Sequence, residues 1–410
     1  MKKLKRKKIA FIAHEFGLYK GHGGIASYLY NICSWLLKHS SIEIFVLADY
    51  YDKNCNLFSN KSFHFHPLKG NIHHQRDKVY DFVLSNEDLS YVEFADFHAL
   101  GLYVVLEKVN NSKFNNTVLV TNNHTATREC YEWSNFTRAV DFNIQSFIDA
   151  EKQQMLLSDY CIAPSTFLAN YVKKNYNLCD DVLVFANPYM NKLPSKQEII
   201  DKLEKSIDLE EYKNSFNIVL ISRFEGRKQQ EKLISAFVNL KKKGLNIRLF
   251  LAGNTSYLNN DNKIDYRYFS YCKTNNTEDI YIYDFLNLNE QEKLIAIADL
   301  TVLPSIFENQ PVAMVETVLR GIPVMASKYS GIADYTRDER LLFNPFDEND
   351  LEQKIEAFYN LSCENREIIQ ITQYDNLLKF INPKKCIIDR INLPPKNNKT
   401  DYRQEMEKLI

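Results

Sequence analysis

The chain has 410 residues, 45% of them hydrophobic and 25% charged, enough for two or three domains with cores of their own. That composition excludes a disordered or collagen-like chain, and 51 basic against 52 acidic side chains leave no excess charge to drive nucleic-acid binding. The eight cysteines are scattered with no C-x-x-C pair, which fits a reduced cytoplasmic protein better than a disulfide framework or a zinc site.

Six of the seven residues from Lys2 to Lys8 are basic. The run suits either attraction to an anionic membrane surface or a solubilising lead-in to the first strand. The apolar stretch behind it, Ile9–Ala13, is too short for a signal-peptide core, and no other apolar run reaches the length of a bilayer span. A cytoplasmic location is expected, peripheral at the inner face of the membrane if the basic run engages it.

Lys8–Ala13 (KIAFIA) reads as a buried strand, followed by a glycine-rich stretch, a helix over Ala26–Lys38 and a strand over Ile42–Ala48. A β-loop-α-β unit of this kind implies a parallel sheet covered by helices. Further strands are expected at Phe82–Leu84, Thr117–Thr121 and Tyr160–Ala163, with helices over Ile144–Leu157 and Leu168–Asn175. The region from Asn187 to Ser215 is punctuated by proline and rich in Lys and Glu, so a domain boundary is expected there. A second unit then opens with a strand at Asn217–Ser222, a helix from Gln230 to Lys243 ended by Gly244, and a strand at Ile247–Ala252. Strands at Ile280–Tyr283, Leu300–Leu303 and Val324–Ala326 continue the alternation. The expected fold class is α/β, with two doubly wound parallel-sheet domains over residues 1–190 and 191–375. Ligands of such sheets bind at the carboxyl ends of the strands, here in the cleft between domains. The polar segment after Ser362 is weakly patterned; residues 376–410 are expected to form a tail that packs back on the first domain, with Tyr402–Ile410 as a terminal helix.

Three stretches could carry chemistry. In Leu303–Tyr335 (LPSIFENQPVAMVETVLRGIPVMASKYSGIADY) a strand leads into a loop, Pro311 opens a short helix and Gly321 closes it. The helix start offers free N–H groups to an anion, and Glu308 and Glu316, eight residues apart, can reach two parts of one ligand. A solvated loop Glu and a polar-face Glu explain the pair equally well. In Ser222–Lys228 (SRFEGRK) Arg223 emerges at the end of a strand and Lys228 at the start of the next helix, a pair of cations suited to a diphosphate or merely a surface charge cluster. In the first half, Gly21-His22-Gly23-Gly24 lets backbone approach a phosphate, or is a plain connector. GHGGIA also matches the dinucleotide fingerprint G-x-G-x-x-A, but it stands seven residues too far from its strand.

Taken together these residues resemble family 4 of the retaining glycosyltransferases, which have the two-domain GT-B fold. The resemblance is carried by Glu308 and Glu316 in FENQPVAMVE, by GIPVMAS and the Ser330-Gly331-Ile332 turn, by SRFEGRKQQEKLISAF and by LFLAGN. It extends through GHGGIASYLYNICSWL, EFADFHALG and Asn122-Asn123-His124 in the first half. It implies that Arg223 and Lys228 hold the diphosphate of a nucleotide-sugar, with Ser222 and Asn254 beside them. It further implies that Glu316 takes the ribose hydroxyls, Glu308 the donor sugar, and the backbone of Asn309, Gln310, Pro311 and Val312 the sugar and phosphate oxygens. Gly23 and Gly24 would approach the diphosphate from the other domain, His124 would contact the donor sugar, and Tyr283–Phe285 would meet the base. Asn309-Gln310-Pro311 replaces the family's usual Gly-Phe-Gly run.

The expected activity is therefore transfer of a sugar, with retention, from a UDP- or GDP-sugar to a glycan, lipid-linked or protein acceptor. A catalytically silent binding subunit of the same fold is the alternative, and a nicotinamide-dependent oxidoreductase a more distant one. No cofactor and no metal are expected, since D-x-D is absent and His64-x-His66 and His73-His74 read as loop histidines without acidic or cysteine neighbours. No nucleic-acid partner is expected; a membrane contact through Lys2–Lys8 is.

Overall fold

The computed structural model describes residues 7–18, 23–134, 142–204, 209–224, 226–253, 279–283 and 286–396. Contacts divide the chain into two compact units. The first comprises Met1–Glu132, Thr137–Met190 and Ile381–Ile410; the second comprises Trp133–Phe136 and Asn191–Phe380.

In chain order the first unit runs β1 (Lys8–Phe16), α1 (Gly24–His39), β2 (Glu43–Tyr51), β3 (Phe63–Pro67), α2 (Ile72–Leu84), β4 (Leu89–Ala95) and α3 (Leu102–Asn111). It continues with β5 (Val118–Asn122), α4 (Thr127–Ser134), α5 (Phe142–Leu157), β6 (Tyr160–Ala163), α6 (Thr166–Asn175) and β7 (Leu183–Val184). Its seven strands lie in the order β3-β2-β1-β4-β5-β6-β7 with every pairing parallel. Sheets covered on both faces need strands that are apolar throughout. Accordingly Ile9–Ala13 of β1 and Ile44–Ala48 of β2 are buried without alternation. One core layer joins Ala10, Ile12, Leu47, Val92 and Leu119 to Val79, Val83 and Val105 of the covering helices. On α1 the buried Leu29, Ile32, Cys33 and Leu36 recur at three- and four-residue spacing.

The second unit runs α7 (Lys196–Leu203), α8 (Glu210–Lys213), β8 (Phe216–Ile221), α9 (Gln230–Lys242), β9 (Ile247–Ala252), β10 (Ile280–Tyr283) and α10 (Leu288–Ile297). It ends with β11 (Leu300–Leu303), α11 (Val312–Leu319), β12 (Val324–Ser327), α12 (Ala333–Thr336), β13 (Leu342–Phe343), α13 (Asp350–Tyr359) and α14 (Cys363–Phe380). The strand order is β10-β9-β8-β11-β12-β13, again parallel at every pairing. Capping boxes start α7 (Ser195 with Glu198) and α10 (Asn287 with Glu290), each satisfying two terminal N–H groups. The last described helix, α15 (Asp389–Ile391), returns to the first unit.

Several expectations are corrected. Phe82–Leu84 is the last turn of α2, not a strand. Strands β3 and β4 were not anticipated, so His64 and His66 lie on a strand and His73 and His74 in the first turn of α2, rather than in loops. The weakly patterned segment after Ser362 is mostly the eighteen-residue helix α14. Tyr402–Ile410, for which a helix was expected, lies outside the described residues.

Candidate functional site

In the second unit, β8 delivers the SRFEGRK segment and β11 delivers the Glu308 loop, and these two strands are neighbours in the sheet. The loops that follow them meet. The N–H of Ile306 donates to the carbonyl of Arg227 at 3.1 Å. Glu308 is 5% exposed, and its Oε1 accepts from Lys228 Nζ, from Arg227 Nη1 at 2.9 Å and from Ser305 Oγ at 3.0 Å. A carboxylate so enclosed costs several kcal/mol to desolvate and persists only when paired. Burial alone would raise its pKa, but Lys228 and Arg227 outweigh burial and hold it below the ordinary carboxylate value. The loop is fixed at its far end too, where the N–H of Gly331 donates to the Glu308 carbonyl at 2.9 Å.

Immediately after Glu308 come Asn309, half-buried, Gln310, buried, and Pro311, which caps α11. No side chain caps that helix. The N–H of Met314 already donates to the Pro311 carbonyl at 3.0 Å; those of Val312 and Ala313 have no partner within the helix and are oriented to receive an anion. Val312 is its first residue. Glu316 sits further along, with Arg320 Nη1 at 4.0 Å one turn on.

Arg223 is exposed just beyond β8, and Lys228 is buried in the helical turn Gly226–Lys228. Ser222 is held by its N–H to the Ala252 carbonyl, 2.8 Å, and by Gln230 Nε2 on its Oγ, 3.3 Å. The same Gln230 nitrogen donates to the Arg223 carbonyl at 2.8 Å. Gly253 faces this turn closely: a Cβ there would lie 1.9 Å from the Ser222 carbonyl oxygen. Only glycine lets β8 and β9 end side by side in this way. Asn254 and Phe285 lie outside the described residues; Tyr283, the end of β10, accepts from the Gly253 N–H at 3.1 Å.

The structure thus brings Glu308 and Lys228 into direct contact and places Ser222, Arg223, Asn309, Gln310, Pro311, Val312 and Glu316 on the loops and helix around them. It adds three residues that sequence reasoning missed: Arg227, Ser305 and Gln230. Arg227 was visible as the first cation of the Gly-Arg-Lys run; nothing local marks Gln230.

Gly23, Gly24 and His124 belong to the first unit. Gly21 and His22 lie outside the described residues. Gly23 precedes α1, and its N–H donates to Glu15 Oε2 at 3.0 Å while that of Ala26 donates to Oε1 at 3.4 Å. A Cβ on Gly23 would lie 2.3 Å from Glu15 Oε1, so one role of this glycine is to admit that carboxylate. His124 is 8% exposed, with its ring 5.0 Å from that of Tyr28 and its Nε2 2.8 Å from Asn122 Nδ2. Burial, and then the Arg390 cation, push its pKa down to about 3. The carboxylates of Asp96, Glu151 and Glu129 are buried in the same unit. Asp96 accepts from the N–H groups of Phe97, His124 and Thr125, Glu151 from those of His98 and Thr127, and Glu129 from the Tyr176 hydroxyl. Among the described residues no group of three or more His, Cys, Asp or Glu side chains is placed to hold a metal ion, and no described helix is long and apolar enough to cross a membrane.

Residues 201–374 match the family model described as Glycosyl transferases group 1. No protein of curated function matches the chain in sequence. Solved structures resemble it along almost its whole length. Sucrose-phosphate synthase from Thermosynechococcus elongatus superposes with a TM-score of 0.69 at 14% identity, covering 98% of this chain and 100% of that one. Anabaena HepE in complex with UDP gives 0.63 at 15% identity, covering 98% and 99%. The catalytic domain of starch synthase IV from Arabidopsis thaliana, bound to ADP and acarbose, gives 0.62 at 11% identity, covering 97% and 98%. The chain has the GT-B fold, two parallel-sheet α/β domains, and the group 1 glycosyl transferase match lies on the second of them.

Proposed function

We propose that the chain is a retaining glycosyltransferase of family 4 that moves a sugar from a nucleoside-diphosphate sugar to a glycan, lipid-linked or protein acceptor without a metal ion. The observation that carries this reading is the buried Glu308 carboxylate clamped by Lys228 and Arg227 beside the uncapped start of α11. It lies inside the segment that matches the group 1 model. The likeness to the UDP complex of HepE and the ADP complex of starch synthase IV supports a nucleotide donor.

In this reading Glu308 orients the donor sugar. Arg223, Lys228 and the N–H groups of Asn309, Gln310 and Val312 receive the diphosphate, and Glu316 takes the ribose. Transfer with retention needs no enzymatic nucleophile when the leaving diphosphate oxygen itself takes the proton of the attacking acceptor hydroxyl on the same face. One glycosidic bond breaks, one forms, and the proton leaves with the nucleotide. The protein's task is then electrostatic. Negative charge grows on the diphosphate, and fixed cations and amides stabilise it without reorganising. Ser222, Gln230 and Gly253 keep the Arg223 turn in place, and the resemblance assigns His124 to the donor sugar. We place the enzyme in the cytoplasm, with the basic residues of the Lys2–Lys8 run that precede Lys7 meeting an anionic membrane surface, since Lys7 bonds Ile391 and Asn392 and Lys8 pairs with Asp88.

A thermal-shift screen against UDP, GDP, ADP and CMP, with and without magnesium, tests the reading. Binding stabilises by RT ln(1 + [L]/Kd), so millimolar ligand reveals even weak sites. A shift with one nucleoside diphosphate, equal with and without magnesium, supports the proposal and names the base. A shift that requires magnesium contradicts the metal-free mechanism, and no shift with any nucleotide contradicts the donor site.

A further inference from the structure

A single buried carboxylate at the centre of the first unit ties its last described helix to His124. Glu93 on β4 is 3% exposed and accepts five hydrogen bonds. Its Oε1 receives Tyr28 Oη at 2.7 Å, Arg390 Nη2 at 2.6 Å and Asn122 Nδ2 at 3.1 Å; its Oε2 receives Tyr91 Oη at 2.6 Å and Arg390 Nε at 2.8 Å. Arg390, on α15, is fully buried, and its guanidinium lies 5.0 Å over the Tyr28 ring.

This arrangement fixes the chemistry of the neighbouring imidazole. An ionised carboxylate accepts only, so the Asn122 amide must turn its NH2, not its oxygen, toward Glu93. The same nitrogen lies 2.8 Å from His124 Nε2 and has one hydrogen left to give. Nε2 is therefore an acceptor, and the ring proton of a neutral imidazole sits on Nδ1. The charged and titratable groups around the ring agree: Arg390 from α15 opposes a second proton, Glu93 from β4 is neutralised by Arg390, Tyr28 from α1 donates to Glu93, and Asp96 engages the backbone N–H of His124 and Thr125.

We propose that Arg390 and Glu93, acting through Asn122, are positioning residues that hold His124 as a neutral ring protonated at Nδ1, so that it offers the donor sugar a hydrogen bond from Nδ1 and takes no part in acid–base exchange. The purpose assigned to the ring rests on the transferase reading; its protonation state rests on the hydrogen-bond chain alone. Arg390, 297 positions from Glu93 in sequence, thereby sets the state of a ring just beyond the end of β5.

The test is nitrogen-15 NMR of the full chain labelled at histidine, with the His124 signals assigned by His124→Gln. The expected wild-type ring is Nδ1-protonated and does not titrate between about pH 5 and 8, where an ordinary histidine does. An Nε2-protonated ring, or one titrating near the ordinary histidine value, overturns the proposal. Asn122→Ala is expected to release the ring into a mixture of tautomers and to lower kcat/KM about ten-fold, the worth of one hydrogen bond. A ring that stays purely Nδ1-protonated in that variant overturns the chain of control. Arg390→Lys, which keeps the charge, is expected to retain the wild-type tautomer; a switch to Nε2 in a folded Arg390→Lys variant counts against Glu93 as the anchor. Addition of UDP-glucose and GDP-mannose separates the two readings: movement of the His124 Nδ1 signal supports the donor contact, whereas a correct tautomer that ignores every sugar nucleotide overturns the contact and leaves the tautomer standing.

Discussion

At the scale of single residues, the Glu308 cluster and the Glu151 carboxyl respond to charge in opposite ways. Glu308 is held ionised by Lys228 and Arg227, so its contribution to stability is present above the ordinary carboxylate pKa and is lost as pH falls through the lower folded value. Glu308→Gln removes the charge and leaves two cations facing a neutral amide. It is expected to cost about 3 to 5 kcal/mol in urea melts, because one partner of a buried pair is gone; a change under about 1 kcal/mol contradicts the pairing. Arg223 is exposed, so Arg223→Ala is expected to keep the melting temperature while kcat falls about 100- to 1,000-fold, the effect of removing one fixed donor to developing charge. Equal kcat in variant and wild type removes Arg223 from the donor site. Glu151 differs: burial pushes its folded pKa up to about 7. A raised carboxylate pKa gives stability that is complete below the unfolded pKa and is lost as pH rises through the folded one. Glu151→Gln is therefore expected to gain stability relative to wild type between about pH 5 and 8, by roughly 3 kcal/mol at most. A difference that does not vary with pH contradicts burial as the dominant influence on this carboxyl.

At the scale of elements, the ends of β8 and β9 depend on Gly253. Gly253→Ala sets a methyl group against the Ser222 carbonyl, which is backbone and cannot swing aside. The expected cost is about 3 kcal/mol together with loss of nucleotide-induced stabilisation. Retained nucleotide binding at wild-type affinity contradicts the role given to this turn. The same scale shows why some elements were readable and others were not. β1, β2, β8 and β9 each contain an unbroken apolar run (Ile9–Ala13, Ile44–Ala48, Ile218–Ile221 and Leu249–Ala252), and such runs announce themselves. In α2 the buried positions include Gln75 and Arg76, which satisfy Asp49, Gly70, His98 and Ala99, so the helical period was hidden behind polar residues and only Phe82–Leu84 showed. In β4 a charged Glu93 interrupts the apolar pattern, and its partner lies on a helix that no local window contains. α14 buries Ile369, Gln373 and Leu377 but exposes Ile368, Ile371 and Leu378, which erases the amphipathic stripe.

At the scale of the whole chain, residues 381–396 join the first unit, although almost two hundred residues of the second separate them from its sheet in sequence. Lys7 Nζ bonds the Ile391 carbonyl at 2.5 Å and Asn392 Oδ1 at 3.0 Å, Tyr160 Oη donates to the Pro394 carbonyl at 2.9 Å, and Lys396 pairs with Asp180 at 2.6 Å. Arg390 with Glu93 is the buried centre of that attachment. Arg390→Met alone leaves a buried carboxylate without its cation and is expected to cost about 3 to 5 kcal/mol, whereas Arg390→Met with Glu93→Leu is expected to restore much of the loss. Two variants of equal stability contradict the pairing as the source of the cost. The order of the residues proposed for the donor site was legible because Arg223, Lys228, Glu308 and Glu316 fall within one unit and follow its strands. The contacts of Arg227 and Ser305 with Glu308 became visible only when the loops after β8 and β11 were seen to touch, and that of Gln230 only in its bonds to Ser222 and Arg223.

The claim on which the rest depends is that this chain transfers a sugar from a nucleotide donor with retention. The most direct measurement incubates the full-length protein with UDP-, GDP- and ADP-sugars and a mixed panel of glycan acceptors, and follows nucleoside diphosphate release and the anomeric configuration of any product by NMR. The account predicts release from donors of one base, with or without chelator, and a product of the same anomeric configuration as the donor; Arg223→Ala should abolish it. Product of inverted configuration, or donor turnover that survives Arg223→Ala unchanged, would contradict the account.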